Sequence, residues 1–183
     1  MMDMEEGLLS MNNSEKIVLV DLDDQIIGNE TKVKVHEEGL LHRAFSVFII
    51  NETRMLLQKR NINKYHSGGL WSNACCSHQR EGELLDDAVN RRLDEELGID
   101  CCLTEVFSFV YRTVFENGLT EYEYDHVFVG EYNGTVSINY EEASEVKWFE
   151  FEELKRMMQS NPELFSSWFI IAAPRIMHIM EGK

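Results

Sequence analysis

Apolar positions recur along the chain in two periods, and the switches between them mark the elements. Residues 16–21 (KIVLVD) predict a strand closed by a turn at Asp23-Asp24. Residues 43–50 (RAFSVFII) are almost continuously apolar, the pattern of a strand buried on both faces. After a turn at 51–53, residues 54–59 predict its neighbour, and 61–69 form a polar loop ending in Gly68-Gly69. Residues 84–97 hold neither Gly nor Pro and are followed by Gly98, which predicts a helix with a C′ glycine. Strands at 107–115 and 120–131 are joined around Asn117-Gly118, a hairpin signal. A short strand at 145–149 precedes helices at 151–159 and 162–180, the second with a bend expected at Pro174. Helices and strands are mixed without regular βαβ alternation, so the expected class is α+β, a mixed-sheet α/β sandwich. Residues 1–15 are acidic, Met-rich and without period, and are expected to form a flexible tail on one domain spanning 16–183.

Composition narrows the partners. The chain has 183 residues, 44% of them hydrophobic, enough to bury a sizeable core. Its net charge of -16 repels phosphate backbones, so no nucleic-acid partner is expected. An anionic substrate would need bound metal or local Lys and Arg. The longest apolar runs fall well short of the ~20 residues that span a bilayer, and the acidic start is unlike a signal peptide. The four cysteines form two adjacent pairs without CxxC spacing, which reads as free thiols in a reducing cytoplasm.

Three groups of polar residues sit against the pattern. At about 100° per residue, Glu96 and Arg92 fall within the apolar stripe of the 84–97 helix. They form either an i,i+4 ion pair at its edge or a buried carboxylate with a task. Alternation places Glu121, Glu123 and Asp125 on one face of a strand, which is either a solvated acidic face or a cation site. His36, His42 and His78 lie in or beside predicted loops; with two or three carboxylates they would suit Mn²⁺ or Mg²⁺ with about six N/O ligands.

Residues 77–99 resemble the Nudix box, with Glu83 and the run Arg91-Arg92-Leu93-Asp94-Glu95-Glu96-Leu97-Gly98-Ile99 at the family's spacing. Ser77 replaces its first Gly and Arg92 one of its glutamates, which counts against simple diphosphate hydrolysis. The segments HRAFSVFI (42–49), KYHSGGLWSNACCSH (64–78), GLTEYEYDHVF (118–128) and SSW (166–168) resemble type I isopentenyl diphosphate isomerases. That resemblance implies a Nudix-like fold with extra N-terminal strands and C-terminal helices. It also implies interconversion of isopentenyl and dimethylallyl diphosphate through a carbocation.

By motif, the resemblance implies proton transfer by Cys76 and Glu123, with Tyr111 bonded to the glutamate and Trp168 over the reacting carbons. It implies a Mn²⁺ or Mg²⁺ site of His36, His42, His78, Glu121 and Glu123, and a Mg²⁺ held with the substrate diphosphate through Glu96. Lys32, Arg60, Lys64 and Arg92 match the diphosphate-facing cations. The expected protein is a cytoplasmic monomer or weak dimer whose partner is a small isoprenoid diphosphate, with no membrane contact. Ser77-His78-Gln79 replaces the family's usual Gly-His-Pro; if that first position needs a positive φ, Ser77 carries strain. The rival readings are a Nudix-type diphosphate hydrolase and a non-catalytic metal-bound binding module.

Overall fold

The computed structural model describes residues 15–182. Among these, nine strands join in one mixed sheet built around β3 (His42–Asn51), the apolar run predicted from its sequence. Strand β8 (Thr120–Glu131) lies parallel to β3 along almost its full length, from His42 opposite Glu123 to Ile50 opposite Glu131. Three strands share the other side of β3. Strand β1 (Lys16–Val20) meets it at His42, β6 (Cys75–His78) pairs with Ala44 to Val47, and β4 (Arg54–Arg60) pairs only with Ile49 to Asn51. Strand β4 then diverges to pair with β5 (Trp71–Ser72) and β9 (Ala143–Glu150), and β6 fills the opening. The sheet is completed by β2 (Ile26–Thr31) beside β1 and β7 (Leu103–Val114) beside β8.

Side chains alternate across the sheet, so register decides which layer each joins. Phe45, Val47, Ile49, Cys75 and Phe128 share a core with Ala88, Val89, Leu93 and Leu97 of α2 (Leu85–Leu97). Phe48, Ile50, Val127 and Val129 share a second core with α3 (Phe151–Ser160) and α4 (Ser167–Glu181), through residues such as Leu154, Phe169 and Ile176. Fully burying Leu93 or Leu97 contributes about 1.5–3 kcal/mol each. The α4-facing side turns polar toward the start of β3, where His42 and Ser46 lie beside Glu123 and Asp125. All four are buried.

Gly98 caps α2 with φ 62, the left-handed conformation expected at C′. Elements β2, α1 (Lys32–Glu38) and β6 carry too few alternating apolar residues to announce themselves in the sequence. The helix expected at 162–180 divides into a 3₁₀ turn at Pro162–Leu164 and the continuous helix α4, which runs through Pro174. The expected tail at 1–15 lies outside the described residues except for Glu15, which pairs with Arg80.

Candidate active site and metal centre

His36, His42, His78 and Glu121 bring four ligand atoms within 4.8 Å of one another. They come from α1, the first residue of β3, the last of β6 and β8, so regular elements, not the expected loops, carry the three histidines. His36 and His42 direct Nδ1 at the carbonyls of Lys32 (2.6 Å) and Leu40 (2.9 Å). With the proton on Nδ1, each ring points a free Nε2 inward. Those two Nε2 atoms and Glu121 Oε2 are buried without a hydrogen-bond partner. His36 Nε2 lies 3.2 Å from Glu121 Oε1, and His78 Nε2 3.0 Å from Glu123 Oε1. Burial drives His42 down to about 4 and His78 well below the ordinary imidazole value. Both are therefore neutral, the form that ligates a metal. This donor set of neutral imidazoles and carboxylates, with orphaned atoms converging, fits a divalent cation such as Mn²⁺ or Mg²⁺.

Glu121, Glu123 and Asp125 share one face as alternation predicts, but that face is buried, not solvated. Burial, with Glu121 and Asp125 nearby, raises Glu123 well above the usual carboxylate range. For Glu121 burial acts in the same direction, but His36 and His66 more than offset it and hold that carboxyl low. Burial lifts Asp125 to about 8, and Ser46 donates to it at 2.8 Å. Tyr111 stands opposite Glu123 on β7, and its hydroxyl donates to Glu123 Oε2 at 2.6 Å.

Strand alternation also separates the adjacent cysteines. Cys75 turns toward α2 and is fully buried in its core, whereas Cys76 lines a pocket with Glu123, Tyr111 and Trp168. Burial pushes the Cys76 thiol up to about 12, against the pull of Arg60, whose Nη1 lies 3.6 Å from its sulfur. Trp168, at the start of α4, is fixed by its indole N–H, which donates to Asn73 Oδ1 at 3.0 Å. The Arg60 guanidinium lies 5.3 Å from its ring centroid.

Lys32, Arg60, Lys64 and Arg92 line the same pocket. Of the two readings of the helix pattern the structure shows features of both: Arg92 and Glu96 form the i,i+4 ion pair, at 2.5 Å, and Glu96 itself is buried. The other oxygen of Glu96 accepts from Gln58 Nε2 at 2.9 Å. Glu142 bridges the rim, pairing with Lys64 and, at 3.1 Å, with Arg92. A cluster of cations held by the buried Glu96 and the half-buried Glu142 thus exists on a chain of net charge -16.

The NUDIX domain family matches residues 40–169. Isopentenyl-diphosphate Delta-isomerase of Burkholderia multivorans is 49% identical over 156 residues, covering 85% of this chain and 89% of the relative. Isopentenyl-diphosphate Delta-isomerase 2 of Photorhabdus laumondii is 47% identical, covering 85% and 88%. The chain belongs to the isopentenyl-diphosphate Delta-isomerase family, within the NUDIX superfamily. Its fold is similar to that of DR0079 from Deinococcus radiodurans, with a TM-score of 0.73 at 17% identity, over 88% of this chain and 98% of that one.

Ser77 and Gln79 stand where the resemblance implied Gly and Pro. Ser77 lies in β6 opposite Phe45 and is not among the residues with positive φ, so the anticipated strain does not arise. Gln79 accepts from Arg43 Nη1 at 3.0 Å and donates to the Glu83 carbonyl. All the residues expected at the site except His36 and His42 line one pocket, and those two join it through Glu121. Sequence reading missed Gln58, Tyr65, His66 and Glu142, which also line it. His66 lay inside a quoted motif, but an isolated histidine in a polar loop carries no periodic signal. Among the described residues no helix is long and apolar enough to cross a membrane.

Proposed function

We infer that this chain interconverts isopentenyl diphosphate and dimethylallyl diphosphate, with Cys76 and Glu123 as its two proton-transfer groups. The observation that supports this reading is that a thiol and a Tyr111-bonded carboxyl share one buried pocket with Trp168 and four basic side chains. Moving an unactivated double bond requires a proton at the terminal methylene carbon and loss of another from the CH₂ group that lies between the branched carbon and the CH₂ bearing the diphosphate. Protonation creates a tertiary cation, so both groups must be in place and water kept out. Glu123 is taken as the donor side, with the Tyr111 hydroxyl orienting it. Cys76 is taken as the base toward isopentenyl diphosphate, in the thiolate form that the Arg60 guanidinium 3.6 Å from its sulfur favours against burial, and the roles exchange in reverse. The Trp168 ring face would stabilise the cation by about 0.5–2 kcal/mol.

His36, His42, His78, Glu121 and Glu123 would hold a divalent ion, Mn²⁺ or Mg²⁺. When bound, it supplies charge that lets the neighbouring carboxylates coexist. Lys32, Arg60, Lys64 and Arg92 would bind the diphosphate, and Glu96 its accompanying Mg²⁺ by exchanging one present partner. Residues 16–183 are taken as one catalytic domain. Incubation with isopentenyl diphosphate and Mg²⁺ in D₂O tests the reading. The expected product is dimethylallyl diphosphate with deuterium in a methyl group and no free phosphate. Phosphate release would favour a hydrolase, and unchanged substrate a binding module.

A further inference from the structure

His66 stands apart from the histidines assigned above. It lies in the loop between β4 and β5, is 7% exposed, and sets Nε2 2.5 Å from Glu121 Oε1. That contact is close but off the hydrogen-bond direction, so Nε2 is buried without a hydrogen-bond partner, and Nδ1 faces the Ser67 hydroxyl at 3.2 Å. A nitrogen lone pair would repel a carboxylate oxygen at that distance, so the proton belongs on Nε2 and the Ser67 hydroxyl donates to Nδ1. The ring is clamped: it stacks on Phe115 at 4.6 Å and meets Trp168 edge-on at 5.8 Å. The loop beneath it is tightly folded, since a Cβ at Gly68 would fall 2.5 Å from the Ile62 carbonyl oxygen. Ser67 itself adopts a positive φ of 51, a strained conformation for a residue with a side chain.

We propose that His66 is a positioning residue that presses its Nε2–H against Glu121 Oε1 and so holds the carboxylate, with Oε1 beside His36 and Oε2 beside His42, in place for the cation. Glu121 Oε2 is the atom left without a partner, beside the open Nε2 of His42 at 3.7 Å. The four-atom ligand cluster forms without His66, whose contact is with Glu121 and not with the other ligand atoms. The inference rests on the metal centre of the proposed function. The same ring braces Trp168, so one loop residue aligns both the carboxylate and the wall over the reacting carbons.

The test is Mn²⁺ affinity of the metal-stripped protein, read from the EPR signal of free Mn²⁺. His66→Phe keeps the stacking but loses the donor, and its affinity should fall about 10–100-fold. His66→Gln, which regains an N–H donor, should recover most of the loss. Should the Phe variant fail to fold by circular dichroism, His66→Met fills the space without a donor and takes its place. Wild-type affinity in the donorless variant, or equal losses in it and His66→Gln, would overturn the proposal. His36→Ala separates the two failures. If it too binds Mn²⁺ normally, the metal centre is wrong; if it alone loses Mn²⁺, only the role of His66 is.

Discussion

The Tyr111 hydroxyl donates to Glu123 Oε2 at 2.6 Å, across a ladder in which the two residues stand directly opposite. Register on β7 and β8 therefore sets the bond, and a slip of one residue would turn both side chains to the other face. Removing the hydroxyl leaves a buried carboxyl oxygen unpaired. A hydrogen bond to such a group is worth about 1.5–3 kcal/mol. Tyr111→Phe should therefore lower kcat about 10–100-fold with little change in KM, because the diphosphate contacts lie elsewhere in the pocket. Steady-state kinetics with isopentenyl diphosphate checks this; a KM effect without a kcat effect would move Tyr111 from proton transfer to binding.

The adjacent cysteines offer a paired experiment. Cys76→Ala should abolish turnover while leaving the circular dichroism spectrum and melting behaviour close to wild type. Cys75→Ala should retain catalysis but lose roughly 1–2 kcal/mol of stability, since it removes a fully buried sulfur from the core beneath α2. The reverse pattern would mean that β6 is placed one residue out of register.

Much of this arrangement is legible in the sequence, and the limits have physical causes. The apolar run of β3, the α2 stripe and the alternation of β8 are long enough for a period to show. Glu96 stood out because it broke such a period, and the structure finds it buried and paired with Arg92. Strand β6 has four residues and no apolar alternation, so the opposite facing of Cys75 and Cys76 appears only once the β3–β6 register is known. His36 and His42 are close in sequence but lie on different elements from each other and from the distant His78, and the three meet only because α1, β3 and β6 converge at one end of the sheet. The family resemblance supplied that convergence, and spacing alone did not. His66 and Glu142 sit in connecting loops, where no period points inward, and the motif that contains His66 gave it no role.

Metal should act on stability as well as on activity. Buried Nε2 atoms and Glu121 Oε2 without partners are costly until a cation satisfies them. At a concentration near 100 times Kd, a ligand that binds only the folded chain adds about 2.7 kcal/mol. For a chain of this size that corresponds to roughly 5–10 °C in Tm. Calorimetry of the chelator-treated protein with and without Mn²⁺ should show this rise, and His42→Ala should remove it. An equal rise in the variant would place the bound ion outside this cluster.

Glu142 links stability to acid. Burial would raise its carboxyl, but Arg92 and Lys64 on either side overcome that and hold it at about 2, below the ordinary 4.5. A depressed value means that the folded state releases the proton more readily than the unfolded chain. The stabilisation is therefore fully present above about pH 4.5 and is lost as the pH falls through about 2. The gap corresponds to a ceiling of about 3 kcal/mol, and the partial exposure of the side chain reduces the expected effect to ~1–2 kcal/mol. Glu142→Gln should be less stable than wild type by this amount at neutral pH, and urea unfolding curves of the two proteins should draw together between pH 4.5 and 2. A difference that stays constant over that window would show that Glu142 contributes through packing or neutral hydrogen bonds, leaving Lys64 and Arg92 uncompensated by its charge.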